Sequence, residues 1–278
     1  MPERLFYLTD FFTMHFFDVV GEYGTLTIFL LALSAFAAGF IDSVVGGGGL
    51  IQTPFLLITF PTMPLAVLFG TNKIAALAGT TFAAFKYAQK IRFDFSLLLV
   101  IGSCCFVSSF IGAQLVNAID TRLLKPLVLL VLIVIALYTL LKKDLGSVQS
   151  KQIPLQKQMF YGAVIGTIVG FYDGFFGPGT GSFFVLGFVV VLGFEFVKAS
   201  AYAKVVNCVT NISALIVFIR HGNFILPLAI LLAVFNITGS VIGSSMALKK
   251  GNEFVRIVFL VIVSMMIVKY GYDVLTAN

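Results

Sequence analysis

Apolar residues in this chain fall in long unbroken runs rather than in alternation. Runs able to span about 30 Å of hydrocarbon lie near 24–41, 71–88, 96–118, 123–141, 158–176, 199–219, 224–246 and 253–270. Two shorter runs, 50–60 and 182–194, each follow a glycine-rich stretch. The long runs predict helices, because membrane barrel strands alternate polar and apolar positions and these do not. Polar residues gather between the runs, most densely in the linker Lys142-Lys-Asp-Leu-Gly-Ser-Val-Gln-Ser-Lys-Gln-Ile-Pro154. At the start of the chain, Glu3, Asp10, Asp18 and Glu22 interrupt the apolar residues and leave no short core before a cleavage site. A cleavable signal peptide is therefore not expected. Leu5, Phe6, Leu8, Phe12 and Phe16 would instead form the apolar face of a helix lying on a membrane surface.

Composition agrees with the pattern. Hydrophobic residues make up 59% of the 278 residues and charged residues 11%, against about a quarter charged in a soluble domain. The fold class expected is an all-α polytopic membrane protein, with the lipid bilayer as its first partner. The net charge of +6 is then a matter of topology rather than nucleic-acid binding, since Lys and Arg cluster between spans. Cys104, Cys105 and Cys208 all lie inside apolar runs and read as small buried hydrophobes. His15 and His221 are far apart in sequence, so neither a metal nor any other cofactor is expected. The oligomeric state is left open.

The chain compared with itself gives the clearest signal. At an offset of 131 residues and without gaps, Gly39-Phe40 falls on Gly170-Phe171, Asp42 on Asp173, Gly46 on Gly177 and Gly48 on Gly179. Lys73 then falls on Lys204, Phe93 on Phe224, and Ser109 on Ser240. The expected organisation is an interfacial segment at 1–23, a first repeat at 24–143, a linker at 144–156 and a second repeat at 157–278. Each repeat would hold four long helices and one short or re-entrant segment. If the short segments cross, the second repeat is inverted relative to the first. Lys and Arg outside the spans then divide 11 to 5 between the two faces; four crossings per half would give 10 to 6. This asymmetry leans towards inverted repeats.

Ionisable residues inside spans are costly and so are functional candidates. Here they are Asp42, Lys73, Asp173 and Lys204. One reading pairs each aspartate with the lysine of its own half as a structural ion pair. Another gives one aspartate a coupling proton. The lysines have polar neighbours: Gly70-Thr71-Asn72 precedes Lys73, while Lys204, Asn207 and Asn211 share a helix face. Ammonium and amide donors together suit a small anion with several oxygens; a polar seam between helices is the plain alternative. Gly46, Gly47, Gly48 and Gly49, and Gly177, Gly179, Thr180 and Gly181 beside Pro178, break the helices before the short runs. A helix restarting there presents N–H groups and a positive dipole end to an anion. Neither stretch has the GxxxxGK[ST] nucleotide pattern. Gly239-Ser-Val-Ile-Gly243 reads as close helix packing, as do Ser103, Ser108 and Ser109.

Ala38-Gly-Phe-Ile-Asp-Ser-Val-Val-Gly-Gly-Gly-Gly49, Thr71-Asn-Lys73, Val169-Gly-Phe-Tyr-Asp-Gly-Phe-Phe-Gly-Pro-Gly-Thr-Gly-Ser182 and Ala203-Lys-Val-Val-Asn207 resemble the TauE/SafE sulfite exporter family. The likeness runs from about residue 24 to 273. It implies a bacterial inner-membrane permease for sulfur-containing anions such as sulfite or organosulfonates, working as a secondary transporter by alternating access. It also implies that the glycine loops, Thr71-Asn72-Lys73, Lys204 and Asn207 belong to the substrate path. A passive anion channel and a non-transporting membrane scaffold are the rival readings. An enzyme is not expected, for want of a nucleophile, base or metal cluster.

Overall fold

The computed structural model describes residues 16–116 and 153–276. Among these, the chain forms eight helices and no strand: α1 Phe16–Val45, α2 Gly49–Thr59, α3 Leu65–Ala88, α4 Phe95–Gln114, α5 Leu155–Phe175, α6 Thr180–Val190, α7 Phe196–Arg220 and α8 Leu226–Thr276. Local chemistry sets the boundaries. Asp94 caps α4 by accepting from the Leu97 N–H at 3.0 Å, as an N-cap carboxylate does. Pro64 and Pro154 stand immediately before α3 and α5. Positive φ breaks α1 at Gly24 (+77°) and α8 at Gly251 (+75°). The starts of α2, α3 and α4, at 49, 65 and 95, recur at 180, 196 and 226 for α6, α7 and α8.

Five helical stretches are long and apolar enough to cross a membrane: Gly24–Val45, Leu65–Ala88, Phe95–Gln114, Phe196–Arg220 and Leu226–Met265. Helix α5 has the length, but Gln158, Asp173 and two tyrosines dilute its apolar character. The predicted run 123–141, the linker and residues 1–15 lie outside the described residues. Large apolar side chains such as Phe95 and Ile58 are more than three-quarters exposed. A water-soluble protein would bury such a surface, whereas a bilayer wets it.

Inter-helix contacts fix the relative directions. Gly39 packs on Asn236 and Gly243 on Phe40, so α1 and the first part of α8 run the same way. Helix α3 joins them: Thr71 meets Ile225, and Gly79 meets Asn236 and Ser240. Helices α4, α5 and α7 form a second parallel set. In it, Gly162 faces Ile101 and Gly174 faces Ser109, while Asp94 meets Tyr202 and Ser109 meets Thr210. The two sets are opposed, because Lys73 meets Asn211 whereas Thr80 shares a partner with Lys204. Since α1 and α3 run the same way, α2 and its flanking loops must carry the chain back between them. At about 1.5 Å per residue, the 11 residues of α2 rise only about 16 Å, and the unwound flanks make up the rest. Past Gly251 the chain turns back across the start of α7, bringing Phe259 onto Phe196 and Ile262 beside Gly47.

The halves interleave rather than lie side by side: α1 packs on α8, and α4 on α5. Glycine makes both contacts close. A Cβ at Gly239 would run into the backbone of Phe36, and one at Gly174 into that of Ser109. This is the small-residue helix packing of membrane interiors, as Gly239 and Gly243 predicted. Ser108 and Ser109 likewise bond backbone carbonyls of neighbouring helices, at Gly166 and Thr210, whereas Ser103, expected to pack with them, is exposed.

Candidate functional site

The site grows from the two places where helices stop inside the bundle. The carbonyls ending α1 have no partner within their own helix, and hydroxyls from three other helices supply them. Tyr87 donates to the carbonyl of Ser43 at 3.0 Å, Ser200 to Val44 at 2.8 Å and Ser182 to Val45 at 3.3 Å. At the end of α5, Tyr172 donates to the carbonyl of Pro178 and Thr180 to that of Gly177, at 2.7 and 2.6 Å. The glycine loops that follow touch one another. A Cβ at Gly46 would collide with the backbone of Gly181, and one at Gly49 would come within 3.3 Å of Pro178 Cα. Gly46 and Gly177 hold φ of +79° and +88°, values that side-chain-bearing residues rarely adopt.

Beside these loops lie the four charges, and their pairing corrects the own-half expectation. Lys73 donates to Asp173 Oδ2 at 3.0 Å, and Lys204 to Asp42 Oδ2 at 2.9 Å. Each aspartate thus takes the lysine of the other half. The opposed directions of α3 and α7 are the reason, since they carry each lysine to the end of the other half's broken helix. A third group completes each set. Asn211 Oδ1 accepts from Lys73 at 3.1 Å, and Thr80 donates to Asp42 Oδ2 at 3.1 Å. Thr80 and Asn211 are themselves 131 positions apart. Lys73 and Thr80 sit either side of the middle of α3, about 10 Å apart by helix rise.

The two sets are not equivalent. A cavity of about 40 Å³ is lined by Lys73, Asp173, Asn72, Asn207, Asn211 and Asp42. Gly47, Gly49, Gly177, Gly179, Thr180 and Gly181 supply its backbone wall. At roughly 10–15 Å³ per water, it has room for three or four waters. Lys204 does not line it and has no exposed surface. Gly46 and Gly48 are also set back from it, packed against Gly181 and the carbonyl of Ala38. Thr71 serves helix packing, donating to the Val67 carbonyl and accepting from the Ile225 N–H.

Sequence reasoning passed over Thr53, Phe69 and Phe176, which line the cavity with the helix-breaking Pro178, and Thr80. The offset pointed to Thr80 all along, since it is the counterpart of Asn211. Gln52 was missed too. It is fully buried one turn into α2, and both of its amide atoms lack a hydrogen-bond partner. A polar pair, Gln52-Thr53, within a short apolar run was the available signal. Of the two histidines, His221 ends α7 with a ring nitrogen 2.8 Å from the Val217 carbonyl, and His15 lies outside the described residues.

Ammonium and amide donors around a small cavity walled by glycine loops form an arrangement suited to an anion. Comparison with known proteins points to a membrane transporter. Residues 31–270 match the family described as sulfite exporter TauE/SafE. The chain is 34% identical over 244 residues to a probable membrane transporter protein of Haemophilus influenzae, covering 88% of this chain and 94% of the relative. It is 34% identical over 263 residues to the probable membrane transporter protein YfcA of Escherichia coli K12, covering 94% and 95%. A Sinorhizobium probable membrane transporter protein is 37% identical over 236 residues, covering 84% and 88%. No solved structure matches the chain.

Proposed function

The chain belongs to the sulfite exporter TauE/SafE family, and from that premise we propose that this membrane transporter moves small sulfur-containing anions, such as sulfite or organosulfonates. It does so across the bacterial cytoplasmic membrane, by alternating access and with energy from a gradient. The observation that carries the reading is Lys73, a buried ammonium at the wall of a cavity it shares with three asparagines and two glycine loops. A sulfur oxyanion offers several acceptor oxygens to such donors.

In this reading the halves are inverted repeats, with the site between them near the membrane midplane. Support comes from the opposed directions of equivalent helices: α1 and α3 run one way, α5 and α7 the other. Basic residues support an orientation. Lys86, Lys90, Arg92, Lys157, Lys198, Lys249, Lys250 and Arg256 sit at one end of the helices, against Arg220 and Lys269 at the other. The richer end is cytoplasmic by the positive-inside rule. A scaffold reading has one observation in its favour, the pairing of both lysines.

A thermal-shift screen of purified protein separates the two. Sulfite, isethionate, taurine and acetate are added in turn, and stabilisation scales with saturation, reaching about 2.7 kcal/mol at a hundred times Kd. The transporter reading expects sulfite or a sulfonate to stabilise more than acetate. If none of the four compounds raises the unfolding temperature, the scaffold reading takes its place.

A further inference from the structure

We propose that the anion and one proton enter this site together, with Asp173 as the proton acceptor and Lys73 as the ammonium handed over to the anion. The inference rests on the transport reading above and adds charge bookkeeping to it. As it stands the cavity is electrically neutral, because Lys73 is paired with Asp173 and Lys204 with Asp42. A monoanion entering alone would leave a net negative charge in a buried, low-dielectric place, which is strongly disfavoured. It would also face two carboxylates, since Asp42 and Asp173 both line the cavity.

A single proton resolves this. The anion takes the Lys73 ammonium from Asp173, and the carboxylate that has lost its cation binds a proton. The charges then read plus one on Lys73, minus one on the anion and zero on Asp173, so neutrality is kept. Binding of the two is reciprocal: the anion raises proton affinity at Asp173, and the proton raises anion affinity at Lys73.

The choice of Asp173 over Asp42 follows from geometry. Only Lys73 of the two lysines reaches the cavity, so only Asp173 loses its partner. Asp42 keeps Lys204, which is completely buried, together with the Thr80 hydroxyl on the same oxygen. Among the described residues, the surroundings of Asp173 leave no rival acceptor. Helix α3 presents Lys73 and α7 presents the amides of Asn207 and Asn211. Helix α4 brings the Cys105 thiol within electrostatic range, and α1 presents Asp42 with its own lysine. The α5–α6 loop offers only Gly177, Pro178, Gly179 and the Thr180 hydroxyl. Gly177 leaves the pair room to part, since even a Cβ there would stay 3.6 Å from Asp173 Oδ1 and 3.8 Å from Lys73 Nζ.

The test uses full-length protein in liposomes loaded with a pH-sensitive dye, with isethionate as the probe because a sulfonate stays a monoanion between pH 5 and 8. An inward isethionate gradient should acidify the lumen by one proton per anion, and clamping the membrane potential at different values should leave the rate unchanged. In Asp173→Asn the acceptor is gone, so isethionate should still stabilise the purified protein, but equally at pH 5.5 and pH 8. The wild type should be stabilised at least several-fold more strongly at the lower pH. Should Asp173→Asn not fold, the wild-type proton count decides alone. Isethionate uptake without protons, or with charge movement, overturns this inference and leaves the transport reading standing. Absence of any sulfur-anion flux overturns both.

Discussion

At the scale of single residues, the crossed ion pairs make a prediction that own-half pairing does not share. Removing one partner of a buried pair leaves an uncompensated charge, at a cost of about 3–5 kcal/mol. Lys204→Met should therefore destabilise the purified protein by about that much, and adding Asp42→Asn should recover most of it, whereas adding Asp173→Asn should recover none. Thermal unfolding of the single and double variants reads this directly; rescue by Asp173→Asn instead would refute the pairing. The four charges were legible as a set because Asp42 and Lys73 recur as Asp173 and Lys204 at the repeat offset, whereas Lys86, Lys125, Glu253, Arg256 and Lys269 stand near the ends of their runs. Their partners were not legible. A repeat offset places Asp42 and Asp173 symmetrically with respect to both lysines, and only the opposed directions of α3 and α7 select the crossed combination. Thr71 shows the opposite failure: it looks like a ligand beside Lys73, yet it faces away and accepts the Ile225 N–H.

At the scale of elements, the glycine loops interrupt the helices before the two short ones, as their composition suggested, and the positive φ values show why glycine is needed. Gly177→Ala places a side chain at φ +88°, a conformation costing about 1–2 kcal/mol for an L-residue. The added methyl comes within a tight 3.3 Å of the Asp173 carbonyl, stands in ordinary contact with the Asp173 carboxylate and Lys73, and takes up part of a cavity of only about 40 Å³. Gly177→Ala should thus fold with a modest loss of stability and lose most of its stabilisation by sulfite or isethionate. Gly46→Ala is expected to be far worse, because its Cβ meets the backbone of Gly181 and backbone cannot yield as a flexible side chain can. Comparing accumulation of the two variants in membranes checks the order. The short apolar runs were legible as elements, but their role was not. That α2 and α6 carry the chain back between parallel neighbours depends on contacts such as Thr71 with Ile225, and runs of hydropathy hold no information about direction.

At the scale of the whole molecule, the interleaving of α1 with α8 and of α4 with α5 makes the two halves one unit around a shared cavity. The sequence offset anticipated two related halves but not the exchange of helices between them. Orientation is open to a simple check. With the basic end cytoplasmic and the last part of α8 returning from it, a reporter fused after Asn278 should lie outside the cytoplasm, and a cytoplasmic reporter would exclude the inverted arrangement. The central claim, that a small sulfur anion travels through the cavity at Lys73, is tested most directly by flux. Radiolabelled sulfite and isethionate uptake would be measured in proteoliposomes holding wild type, Lys73→Ala, or the exposed-site control Ser103→Ala. The account predicts uptake by the wild type and the control, and a loss of at least tenfold, about 1.4 kcal/mol, in folded Lys73→Ala. Wild-type rates in folded Lys73→Ala, or no uptake of either anion by the wild type, would contradict it.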